Sequence, residues 1–239
     1  VKEGKIKEMG PGIPESRVRA GLSKRGERES SPTGGEVIDC TGKVLVPGLF
    51  DMHCHLREPG FEYKETIETG SMAGAAGGFT ALACMANTDP INDTRTVTEY
   101  ILRQAREKAC THVFPIGAVT KKLKGESLAE IGELKEAGVV ALSDDGRPVM
   151  NSNLYRRAME YARGFGLPVI SHCEDLYLSG QGVMNEGLVS TTLGLRGIPN
   201  AAEEVMVLRD ITLAELTGVS LHIAHVSTAG SVRAIREGR

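Results

Sequence analysis

Val46-Pro47-Gly48-Leu49-Phe50-Asp51-Met52-His53-Cys54-His55-Leu56-Arg57-Glu58-Pro59-Gly60 is the stretch on which the reading of the fold turns. An apolar run ends in His-x-His, and an arginine and a Pro-Gly turn follow at once. Residues two apart on a strand share a face. His53 and His55 are therefore expected to present two imidazoles side by side at the strand's C-terminal end, with Met52 and Cys54 pointing the other way. Parallel α/β folds place their sites at that end. One such pair is weak evidence for a metal, so the question becomes whether other segments supply further ligands.

Working outward, the chain is rhythmic after Gly60. Helices are expected near 64–76, 95–108, 152–163 and 201–217, and a last helical piece runs from Gly230 to the C-terminus. Another is expected from Ser127, with Glu130 three residues on in a capping-box arrangement, to Gly138. Between them lie apolar strands at 79–85, 113–119, 139–143, 167–171 and 219–224. With the opening strand this makes six strands alternating with helices, the pattern of a parallel sheet covered by helices. Both a doubly wound sheet and an incomplete (β/α)8 barrel fit. The glycine-rich stretch 175–199 reads as a long connection.

Upstream, 36–46 reads as a hairpin around Thr41-Gly42, and 1–9 as a short strand broken at Gly10-Pro11. The charged, Gly/Ser/Pro-rich segment 14–35 is expected to be a solvated irregular loop rather than a basic patch. Two regions follow: 1–45, with short β-rich pieces and the irregular loop, and 46–239, with the alternating strands and helices.

The bulk numbers bound the function. A formal net charge of −3 in 239 residues gives no electrostatic footprint for nucleic acid or an anionic membrane. No apolar run reaches the roughly 18 residues of a membrane span, and no signal-peptide core precedes Gly10. Five widely spaced cysteines without a Cys-x-x-Cys pair are expected to be reduced, mostly buried thiols, so the expected location is cytoplasmic.

Metal-type residues recur at strand ends. After His53 and His55 come Ser143-Asp144-Asp145-Gly146, His172-Cys173-Glu174-Asp175 and His225-Val226-Ser227. Four of the six histidines stand there, a clustering that packing alone does not explain. Imidazole and carboxylate are zinc ligands, and a carboxylate among four histidines could bridge two ions. Asp144 and Asp145 face opposite ways, which leaves one as a ligand and the other in a turn or supporting role. His222, three residues before His225, is expected to face the helices, and His112 to open the third strand; both read as structural. Arg57 can pair with a substrate carboxylate in bidentate fashion, and Asn87-Thr88 can hydrogen-bond the same group. A solvated arginine and an ordinary turn before Pro90 are the plain alternatives.

Together, Pro47 through Gly60, Met85-Ala86-Asn87-Thr88, Leu142 through Gly146, His172 through Asp175 and His225-Val226-Ser227-Thr228 resemble the dihydroorotase family of cyclic amidohydrolases. The resemblance covers about 37–239, and His-x-His-Leu-Arg-Glu-Pro-Gly is its most specific piece. It implies a metal-dependent (β/α)8 TIM barrel beside a small β-domain, which selects the barrel. It implies that His53 and His55 bind one metal, His172 and His225 the second, and Asp145 bridges them, with one or two Zn2+ per subunit. Arg57 and Asn87 match the family's carboxylate-binding positions. Hydantoinases and allantoinases usually bridge with a carboxylated lysine; 139–145 contains none, which favours dihydroorotase.

The implied reaction is reversible cyclisation of N-carbamoyl-L-aspartate to (S)-dihydroorotate in pyrimidine biosynthesis, through attack of a metal-activated hydroxide. Implied partners are that small substrate, further copies of the chain and, in some bacteria, aspartate transcarbamoylase. Ala86 departs from the family's usual proline, and 14–35 does not match. The resemblance further implies that strands seven and eight, with a catalytic aspartate, lie outside these 239 residues, so that the isolated chain is expected to hydrolyse little dihydroorotate. Two other readings share the motifs. One is a non-catalytic scaffold for aspartate transcarbamoylase, against which the intact ligand set speaks. The other is a related cyclic amidase acting on hydantoin or allantoin.

Overall fold

Apolar runs bounded by glycine or proline turns become strands here, and amphipathic segments between them become the helices that cover one face. The computed structural model describes Thr41, Gly42 and residues 44–238. The chain divides after Pro47 into two compact units. In the first, Thr41 and Gly42 form a turn and Val44–Pro47 carries no strand. The rest of the expected hairpin, the strand at 1–9 and the loop at 14–35 lie outside the described residues.

The second unit begins with β1 (Leu49–Cys54), α1 (Ile67–Ala76), β2 (Phe79–Cys84), α2 (Arg95–Lys108) and β3 (His112–Gly117). It continues through α3 (Ile131–Ala137), β4 (Ala141–Ser143), α4 (Ser152–Gly164) and β5 (Val169–Ser171). After an excursion come α7 (Ala201–Thr217), β8 (Leu221–Ile223) and α8 (Ala229–Glu237). The six long-range strands form one parallel sheet in the order β1-β2-β3-β4-β5-β8. Sequential order with parallel pairing is what helical crossovers of one hand produce.

Leu142, Val169, Leu134, Met159 and Ala162 pack between sheet and helices, and Leu82, Cys84, Val113, Ile67 and Ile101 do the same nearer β1. On the opposite, concave face Ala83, Ile116, Ala141 and Ile170 form a separate cluster. Helix starts are fixed by their caps. Asn151 accepts from the Asn153 and Leu154 amides at α4, and Thr228 from the Ser231 amide at α8. Each such cap is worth about 1 kcal/mol.

Four expectations are corrected. Helix α3 starts at Ile131 with no side-chain cap, because Leu128 forms an antiparallel bridge with Thr120 and Ser127 accepts the Lys121 amide. Extended backbone there displaces the capping box. The 175–199 connection is structured: α5 (Leu176–Ser179), β6 (Met184–Asn185), α6 (Leu188–Leu193) and β7 (Gly197–Ile198), with β6 and β7 paired in parallel.

Met52 does not share a face with Cys54. The β1–β2 register runs Asp51↔Leu82 and then Cys54↔Cys84, so β1 carries one extra residue. This bulge puts Phe50 and Met52 against Ala83, Ile116 and Ile170, while Cys54 faces the helix-side cluster. His222 lines that same concave apolar cavity of about 420 Å3 instead of facing the helices. The three-residue spacing to His225 misleads because β8 ends at Ile223 and His225 turns back with φ 35°. His112 opens β3, at the end of the sheet away from the cluster described next.

Candidate metal centre

The strand ends of β1, β5 and β8 bring four histidines to one carboxylate, that of Asp145 after β4. His53 Nε2 lies 3.4 Å and His225 Nε2 3.5 Å from Asp145 Oδ1. His172 Nδ1 is also 3.5 Å from Oδ1, while His55 Nε2 is 3.5 Å from Oδ2. Thus Oδ1 faces three histidines and Oδ2 faces one. The His172 Nδ1 and His225 Nε2 atoms are 2.9 Å apart, close enough to share a proton or to be adjacent ligands.

The donor set fits a divalent cation. Zinc–nitrogen bonds of about 2.0–2.1 Å in a tetrahedron put neighbouring ligand atoms about 3.3–3.4 Å apart. The separations of 3.4 and 3.5 Å around Asp145 match that edge. His53, Asp145 and His225 also offer donor atoms all within 4.8 Å of one another. Four imidazoles and one carboxylate with no lysine or arginine among them suit a cation.

Two of the four rings, those of His55 and His172, are aimed by an outer neighbour, and the His53 backbone is held by a third. The bulge leaves the His53 amide outside the β1–β2 ladder, and Asp51 Oδ1 accepts it at 3.0 Å. Asn87 Oδ1 lies 2.9 Å from His55 Nδ1. An amide oxygen only accepts, so Nδ1 carries the proton and Nε2 keeps its lone pair toward Asp145. Glu174 Oε2 lies 3.1 Å from His172 Nε2 and fixes that ring with Nδ1 toward Asp145. Asp144 points away from the cluster and takes the Val119 amide at 2.7 Å, the Thr120 amide at 3.1 Å and the Thr120 hydroxyl.

Charge follows geometry. Burial alone would raise the Asp145 carboxyl, but hydrogen bonds from His172 and His225 and the nearby His53 hold it well below the usual range. It is an anion throughout the physiological range. Burial lowers His53, and neighbouring His55 and His225 add to this against the pull of Asp145, so His53 is neutral and able to ligate. His172 is raised, since bonds to Asp145 and Glu174 outweigh its burial. Burial pushes Asp144 up to about 6 despite its hydrogen bonds. Among the described cysteines none is disulfide-bonded. Cys84 and Cys173 are buried, Cys54 half-buried and Cys110 exposed. Burial pushes Cys54, Cys84 and Cys173 up to about 12, which removes them as nucleophiles.

The structure brings together His53, His55, Asp145, His172 and His225, with Asn87 touching His55. Arg57 stands two residues beyond His55, half-buried at φ 60°, and none of the described residues takes its guanidinium. Asp51, Glu174 and Glu203 were not singled out from the sequence. Asp51 carried one local signal, a carboxylate two residues before a histidine, the spacing of an Asx-type turn.

A helix-covered parallel sheet with histidines and an aspartate gathered at its C-terminal edge is the architecture of amidohydrolase barrels. The L-hydantoinase from Arthrobacter aurescens superposes with a TM-score of 0.68 at 21% identity, over 84% of this chain and 46% of that one. That likeness concerns the fold. The Dihydro-orotase-like family matches residues 42–231, and the chain belongs to it. Dihydroorotases from Geotalea daltonii and Syntrophobacter fumaroxidans are 55% identical over 239 residues and 66% identical over 203. These alignments cover 100% and 85% of this chain but 52% and 46% of the relatives, so the chain spans about half their length. Among the described residues no helix is long and apolar enough to cross a membrane.

Proposed function

We propose that the protein bearing this chain is a zinc-dependent dihydroorotase, interconverting N-carbamoyl-L-aspartate and (S)-dihydroorotate. The observation that carries this reading is the convergence of His53, His55, His172 and His225 on Asp145 at 3.4–3.5 Å, in a chain of the Dihydro-orotase-like family. These five residues would hold one or two zinc ions; His53, His172 and His225 face Asp145 Oδ1, and His55 faces Oδ2. Zinc there supplies acidification of water and polarisation of a carbonyl.

The chain's own residues do the rest. Asp145 remains ionised and balances the cations. Asn87 spends its oxygen on His55, which leaves its amide N–H groups to donate to a substrate carboxylate. Arg57, with its guanidinium unclaimed, takes the same carboxylate as a bidentate partner. Together they fix the ring relative to the ions, so orientation supplies part of the rate. The domain reading, 1–45 in a small β-domain and 46–239 in the barrel, belongs to the same proposal. So do a cytoplasmic location, self-association and docking to aspartate transcarbamoylase.

The test uses intact protein loaded with zinc and a panel of dihydroorotate, hydantoin and allantoin. Dihydroorotate is expected to be hydrolysed in preference. Preference for hydantoin or allantoin would overturn the substrate assignment, and failure to bind stoichiometric zinc would favour a scaffold.

A further inference from the structure

His225 is the most exposed of the four clustered histidines, at 46%, and its φ of 35° is a region L-residues avoid. Among the described residues its ring nitrogens meet only His172 and Asp145 of the cluster itself, with no outer partner such as Asn87 gives His55. What holds it lies two residues on. The Glu203 carboxylate, in the first turn of α7, accepts the Ser227 amide at 2.9 and 3.1 Å and the Ser227 hydroxyl at 2.5 Å. It also accepts the Thr228 amide and hydroxyl, both at 3.0 Å. One side chain thus satisfies two of the three backbone amides between His225 and α8.

The mount itself is rigid. One turn along α7, Met206 and Val207 are buried with Cys173 of the β5 end and Ala234 of α8. Glu203 also lines a cavity of about 300 Å3 beside His172 and His225, a place where a carboxylate could be taken for a proton acceptor. Its oxygens are already spent on Ser227 and Thr228, and these bonds keep its carboxyl below the usual glutamate range despite partial burial.

We infer that Glu203 is a positioning residue: it clamps the 224–228 connection to α7 and thereby holds His225 in its strained, ligand-ready conformation. This rests on the metal role proposed above for His225.

The test compares intact wild type, Glu203→Gln and Glu203→Ala by Co2+ titration, with the Co2+ absorption spectrum reporting coordination, and by amide hydrogen exchange. Outer partners of metal ligands typically change affinity by about 10–100-fold. Glu203→Ala is expected to weaken Co2+ binding within that range, alter the spectrum and speed exchange at 224–228 while 169–171 stays protected. Glu203→Gln, with one accepting oxygen, should fall between. Wild-type Co2+ affinity in Glu203→Ala would overturn the inference, as would uniformly faster exchange across the sheet. If wild type itself takes no Co2+, the metal reading falls, and the exchange contrast alone then supports or overturns the clamp.

Discussion

The cluster has two unlike halves. His53 and His55 come from one strand and are set by neighbours close by, the Asp51 carboxylate and, from the adjacent strand end, Asn87. His172 and His225 come from separate strands, β5 and β8, and depend on carboxylates: Glu174 on the His172 ring and Glu203 on the connection behind His225. The first half is built by local geometry and a neutral amide. The second is built by tertiary packing and charge, so its integrity depends on how α7 and α8 seat against the sheet. Asp145 is the one group common to both.

The largest effect is expected at that shared group. Asp145→Asn keeps the shape and removes the charge, so metal should be lost from both sides, with affinity falling by more than the about 100-fold ceiling usual for outer partners. Metal analysis by mass spectrometry checks this. One tight ion surviving would mean that one half stands alone.

A smaller contrast separates the halves. Asn87→Ala and Glu174→Gln should each weaken metal binding by about 10–100-fold. Glu174→Gln should cost more, because a carboxylate on a ring N–H is a charge-assisted bond. Calorimetric titration of the two variants decides it, and an equal or larger loss for Asn87→Ala would erase the distinction.

The last effect is on stability rather than on metal affinity and concerns the turn beside the hub. Asp144 has a folded pKa of about 6 against an ordinary 3.8, so between those values the folded state binds more protons than the unfolded. Stability from this group therefore falls as pH rises from about 4 to 6, by up to about 3 kcal/mol. Urea unfolding of wild type and Asp144→Asn should show the variant gaining on wild type across that window. A constant difference would mean that burial of Asp144 carries no such cost.

The halves also differed in how far they could be read from sequence. The alternation of apolar runs and helical segments announced all six strands, and helices 95–108 and 201–217 fell at the expected residues. His53 and His55 were legible because a two-residue spacing has a fixed geometric meaning on a strand. Glu203 was not, since nothing local links it to Ser227, 24 residues on. His222 was misread because the period-two rule was carried past the point where β8 stops. The capping box at Ser127 failed for the converse reason: a local signal lost to a bridge with Thr120, seven residues earlier.

The extra residue in β1 has a consequence for how this strand tolerates change. Below it, Phe50 and Met52 line the apolar hollow; above it, His53 and His55 turn to Asp145. The strand is two instruments spliced at Asp51, one for filling space and one for holding charge. The extra residue cannot be removed cleanly: the two residues between Asp51 and Cys54 are Met52, which lines the hollow, and His53, which faces Asp145, so either deletion takes away one of the strand's two tasks.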